Sequence, residues 1–162
     1  MSTPSSSVAV VQATIRSGAF ERALREACPG REIIPVPCPK LVPLIEFGHT
    51  DPGDPLLQEA AGEYTEKLQG ASAVLLGCTH YGIVEAALRR FLPKKTALIS
   101  AAACGAAAVC RLLTEQGLRG GSGEERYLVS GDPEGFTDSA SRLLGRSIRG
   151  KVTGLKPMRI DL

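Results

Sequence analysis

Cys78, Thr79 and His80 place a thiol, a hydroxyl and an imidazole within one tripeptide. A thiolate can serve as a base toward carbon acids or as a nucleophile, and a nearby imidazole can tune or orient it. Ala73-Val74-Leu75-Leu76 runs into the tripeptide and reads as a buried strand; Ile83 to Leu92 follows it and reads as a helix ended by Pro93. In open α/β sheets, ligands bind at the carboxyl ends of strands, and a helix N-terminus favours a thiolate. The competing reading makes Cys78 a packing residue and His80 a solvated loop residue. Position alone favours the packing reading.

The other four cysteines are Cys28, Cys38, Cys104 and Cys110. Their spacing contains no Cys-x-x-Cys and frames no metal site with the two histidines. They read as free thiols of a reducing compartment, mostly small core residues. Cys104 and Cys110 share one predicted helix but lie about 240° apart around its axis. The glycine-rich stretch Gly117 to Gly123 lacks Gly-Lys-Ser/Thr and reads as a linker, not a phosphate loop.

The elements that would position the tripeptide alternate. Val8 to Val11 reads as a strand. Ser17 opens a helical pattern that stops at Pro29-Gly30, and Ile33 to Val36 is a second strand. Leu41 to Glu46 carries a proline that excludes a regular central strand. His49 to Pro55 reads as a surface loop with His49 solvated, and Leu56 to Leu68 as a helix capped by Asp54 before Pro55. Beyond the tripeptide come a strand at Thr96 to Ile99, a helix at Ala101 to Leu113, a strand at Arg126 to Ser130, a helix at Pro133 to Leu144 ended by Gly145, and a short strand within 152–162. This alternation indicates βαβ units and parallel sheets.

Composition agrees. Hydrophobic residues make up 43% of the 162 residues and aromatics 4%, so aliphatic packing must build the core. A net charge of +2 argues against nucleic acid and anionic membranes. No apolar run reaches the roughly 20 residues of a membrane span. Residues 1–7 are small and polar, unlike a secretory signal, and read as a disordered tail of a cytoplasmic protein.

Leu75-Leu76-Gly77-Cys78-Thr79-His80-Tyr81 resembles the Leu-Gly-Cys-Thr-His-Tyr signature of bacterial glutamate racemases. Thr14-Ile15-Arg16-Ser17-Gly18-Ala19-Phe20 is similar to a Thr-Val-x-Ser-Gly-x-Tyr segment of the same family. Cys38-Pro39-Lys40-Leu41-Val42-Pro43-Leu44-Ile45-Glu46 and Ser130-Gly131-Asp132 also resemble family motifs. The resemblance covers the chain from about Val8 onward. It implies cofactor-independent, metal-free racemisation of glutamate, in which one cysteine removes the Cα proton and a second delivers one to the opposite face. It assigns Cys78 as one acid/base assisted by His80, with Thr79 and Thr14 as substrate contacts. The Thr14 hydroxyl serves equally well as a helix cap. Glu46 matches an acidic family position, either beside the site or as a surface carboxylate. The resemblance also implies D-glutamate supply for peptidoglycan, and hence cell-wall biogenesis and cell shape.

The departures concern the first half of the site. The family's Asp-Ser-Gly, Tyr-Gly-Asp and Cys-Asn-Thr segments, the last holding the first catalytic cysteine, have no counterpart here. Gly82 stands where the family carries proline. The expected architecture is therefore α/β, with parallel sheet lobes flanked by helices, one near-complete at 8–99 and one partial at 100–162. An uncovered second portion implies a homodimer or a missing N-terminal segment, and a chain inactive by itself. Two further readings stay open: a non-catalytic descendant binding an amino acid or a protein, and a thiol enzyme in which Cys78 and His80 form a nucleophilic pair for acyl transfer.

Overall fold

The computed structural model describes residues 7–12, 18–121 and 123–155. Four strands, β1 (Val8–Gln12), β2 (Ile33–Pro37), β3 (Ala73–Leu76) and β4 (Ala97–Ser100), form one parallel sheet in the order β2-β1-β3-β4. α1 (Ala19–Ala27) crosses from β1 to β2, while α2 (Leu41–Glu46) and α3 (Pro55–Glu66) connect β2 to β3. A 3-10 turn at Tyr81–Val84 and a short α4 (Glu85–Arg89) lead on to β4. The α/β class expected from alternating elements is what forms.

One face of the sheet holds the core. Val74 and Leu76, two apart on β3, turn the same way and pack with Val36, Leu41, Ile45, Leu57, Ala61, Tyr64, Val84 and Leu88. The polar ends of this layer are satisfied: Tyr81 donates its hydroxyl to the Cys38 carbonyl at 2.9 Å, and Tyr64 Oη accepts from the Lys40 amide at 3.1 Å. The remaining cover is thin. Among the described residues, neither α1 nor α5 (Ala101–Glu115) buries a side chain, and Leu75 stays half-buried.

Beyond Ser100 the strands form a second, smaller sheet. β5 (Tyr127–Val129) and β6 (Val152–Gly154) pair in parallel across α6 (Pro133–Leu144). Asp132 caps α6 by accepting from Glu134 and Gly135, Pro133 fits its first turn, and Gly145 ends it in the left-handed region at φ 65°. Leu143 of α6 packs against the core of the larger sheet.

The proline-bearing segment at 41–46 is no strand, as expected; it is a helix, because Pro43 falls in its first turn, where an amide hydrogen has no partner to lose. Two local expectations change. The helix expected over Ile83 to Leu92 is split into a 3-10 turn and α4; Tyr81, wholly buried and tied to Cys38, holds the chain in the tighter turn. His49 is not simply solvated: its Nδ1 lies 2.8 Å from Asp54 Oδ2. Asp54 caps α3 as expected, accepting from the Leu56 and Leu57 amides.

Candidate active site

β1 pairs with β2 on one side and β3 on the other, so the chain reverses its direction of travel across the sheet between β1 and β3. Carboxyl ends that flank such a reversal splay their following loops apart and leave a crevice. Val11 and Leu76 are register partners there, and Cys78 follows Leu76 by two residues. Cys78, Thr79, Gly77, Phe20 and the start of α5 at Ala101 and Ala102 line a cleft of about 170 Å³. That is smaller than the roughly 300–1,000 Å³ of complete small-molecule pockets.

The loop after β3 is a turn, closed by the Tyr81 amide donating to the Cys78 carbonyl at 3.3 Å. Cys78 therefore does not sit on the N-terminus of a regular α-helix, and the helix-dipole support expected from the sequence gives way to side-chain support. The turn brings residues two apart into contact. Cys78 Sγ lies 3.9 Å from His80 Nδ1, the outer limit for a sulfur hydrogen bond, and Thr79 Oγ1 lies 3.4 Å from the same nitrogen. The other ring nitrogen, Nε2, lies 3.3 Å from Glu46 Oε1.

This arrangement assigns roles by donor and acceptor. With Nε2–H directed at the Glu46 carboxylate, neutral His80 presents Nδ1 as an acceptor toward the Cys78 thiol and the Thr79 hydroxyl. A proton moved from Cys78 to His80 leaves a thiolate beside an imidazolium, with Glu46 on the imidazolium's far side. Carboxylate, imidazole and thiol thus form one chain of contacts that ends at Cys78 in the cleft. Cys78 and His80 are half-buried and Glu46 is exposed, so these groups are open to a ligand from solvent.

Of the residues singled out in the sequence, the fold brings Cys78, Thr79, His80 and Glu46 together. Thr14 lies outside the described residues. Phe20, Ala101 and Ala102 were not singled out for the cleft. Phe20 lies within a motif segment, and the alanines follow the strand adjacent to β3, but only strand order reveals that adjacency. Gly82 also acquires a reason: a Cβ there would stand 3.2 Å from Ser100 Oγ, the hydroxyl that caps α5.

The other cysteines stand apart from the cleft. Cys38 is wholly buried, and burial pushes its thiol up to about 12, with the Lys67 ammonium opposing to a lesser degree. Cys104 and Cys110, expected in the core, are instead exposed, because α5 buries none of its described side chains. A larger apolar groove of about 490 Å³ runs between α2 and α3 past Pro43, Leu44 and Leu56. It contains no thiol or imidazole, so size alone does not make it the reactive site. Among the described residues no group of three or more His, Cys, Asp or Glu is placed to hold a metal, and no helix is long and apolar enough to cross a membrane.

No protein-family model matches the chain. It is 36% identical over 160 residues to glutamate racemase of Mycobacterium avium, covering 93% of this chain and 57% of that protein. To glutamate racemase of Desulforudis audaxviator it is 33% identical over 146 residues, covering 83% and 53%. Among solved structures, glutamate racemase of Thermus thermophilus in complex with beta-chloro-D-alanine superposes with a TM-score of 0.71 at 32% identity, covering 95% of this chain and 57% of that one. Glutamate racemase of Francisella tularensis in complex with D-glutamate gives 0.77 at 25% identity, covering 93% and 58%. The chain spans about half the length of the curated relatives it matches.

Proposed function

We propose that this chain, a partial-length homologue of glutamate racemases, carries one acid/base side of a cofactor-independent site that interconverts L- and D-glutamate. The observation that supports it most directly is the chain of contacts from Glu46 through His80 to Cys78, which lines the cleft. A Cα–H is a very weak acid, so its removal needs a held base and fixed donors for the developing negative charge. Cys78 is that base in one direction and the proton donor in the other; His80 moves the thiol proton, and Glu46 steadies the imidazolium. Thr79 and Thr14 hold the substrate's polar groups.

Inversion also needs a thiol on the opposite face. The cleft residues supply one thiol, and its small volume agrees with half a site. In this reading 8–99 is one lobe and 100–162 a portion of a second. The opposing face comes from a second copy of the chain or from the segment of the relatives that this chain does not match. The product would be D-glutamate for peptidoglycan, made in the cytoplasm. A second reading, binding of an amino acid without turnover, is favoured by the single thiol at the cleft.

Glutamate incubated with the purified chain in D₂O tests both. Cα deuterium entering one enantiomer without inversion marks a single working base, and exchange with inversion marks two. Cys78→Ala is expected to lower exchange by about 10²–10⁴-fold, the usual worth of an acid/base group. Exchange that survives Cys78→Ala intact would overturn the assignment, and binding without exchange would establish the second reading.

A further inference from the structure

α2 ends in a turn whose backbone amides do not reach the Glu46 carbonyl. The Gly48 amide donates to the Ile45 carbonyl at 3.0 Å and the His49 amide to the Leu44 carbonyl at 2.9 Å, with Gly48 in the left-handed region at φ 94°. This pattern satisfies the carbonyls of the preceding turn but not that of Glu46, the last helical residue. Arg142 of α6, ninety-six residues further on, donates Nη1 to the Glu46 carbonyl at 2.5 Å. Its Cδ crosses Gly48 so closely that a Cβ there would stand 3.0 Å away. A cation at a helix C-terminus is also favoured by the helix dipole.

The backbone atom that Arg142 holds belongs to the residue whose carboxylate meets His80. We propose that Arg142 is a positioning residue for the site: by fixing the Glu46 backbone it aims the Glu46 carboxylate at His80 Nε2, and so couples the C-terminal portion of the chain to Cys78. This rests on the functional reading given above, in which Glu46 and His80 serve that thiol. Arg142 is not among the residues that line the cleft. The neighbouring Leu143 packs into the core of the larger sheet, which gives the guanidinium a fixed base from which to reach.

The chain has two histidines, so the His80 imidazole can be followed by NMR with little overlap. Glu46→Gln is expected to shift the His80 ring resonances. Arg142→Met is expected to shift them in the same direction, Arg142→Lys to restore them, and Glu46→Gln with Arg142→Met to add nothing beyond Glu46→Gln alone. A purely structural Arg142 would lower the melting temperature and leave the His80 ring unmoved. His80 resonances that respond to Glu46→Gln but not to Arg142→Met or Arg142→Gln overturn the positioning role while leaving the site intact. Silence in Glu46→Gln removes the Glu46–His80 contact itself, and the positioning role with it. Because the readout needs no turnover, it is separate from the deuterium exchange that tests the racemase reading.

Discussion

Cys78 and Cys38 show how the same side chain becomes two different groups. Cys78 is half-buried on a turn beside an imidazole, while Cys38 is sealed beneath Tyr81 and held near 12 by burial. Native alkylation followed by peptide mass mapping should find Cys104 and Cys110 modified readily and Cys38 protected until the chain unfolds. The raised Cys38 value has a thermodynamic sign. The native state keeps a proton that the unfolded state releases above its ordinary value of 9.0, so stability is fully present below about pH 9 and is lost as the pH rises toward about 12. Cys38→Ala should flatten that part of a stability-versus-pH curve obtained by denaturant titration, and an unchanged slope would contradict it.

At the scale of elements, α3 is set by its start and by one face. Asp54 caps it and is itself held by His49; that hydrogen bond, then the Leu57 and Leu56 amides, keep the Asp54 carboxyl below its ordinary value of 3.8. A lowered carboxyl contributes stability present above about pH 3.8 and lost as the pH falls through the native value. Asp54→Ala should therefore lower the melting temperature by a few degrees at neutral pH and make almost no difference in strong acid. On the buried face, Leu57 is completely enclosed. Leu57→Ala should cost about 2–5 kcal/mol in urea unfolding through lost contacts and a residual cavity. A cost under about 1 kcal/mol would mean that the core between α2, α3 and the sheet closes up around the smaller side chain.

The whole molecule is unevenly covered. α2, α3 and α4 bury one face of the larger sheet, while α5 leaves Val109 and Leu112 more than half exposed and β4 leaves Ile99 at 40%. An apolar surface of this kind favours association. Light scattering across a concentration series should show the wild-type chain assembling, and Val109→Glu with Leu112→Glu should shift it toward monomer. A wild-type chain that stays monomeric throughout would remove this expectation, and with it the second copy as the source of the opposing thiol.

The alternation of apolar runs with helical stretches was enough to place α/β elements, because burial periodicity and the punctuation by Pro29-Gly30, Asp54-Pro55 and Pro133…Gly145 are local properties. The Cys-Thr-His tripeptide was legible for the same reason: its chemistry lies within three consecutive residues. The split of the helix expected over Ile83 to Leu92 was not, since a tertiary bond from Tyr81 to Cys38 decides it. Nor were the reach of Arg142 to Glu46 or the cleft contributions of Phe20 and Ala101, and the sequence left Glu46 open between the site and the surface until its approach to His80 decided it. Those depend on strand order and on which turns meet at the sheet's carboxyl edge. Residue type and spacing along the chain carry no information about distance between segments; only the closed packing of helices on the sheet converts sequence separations of tens of residues into contacts of a few ångströms.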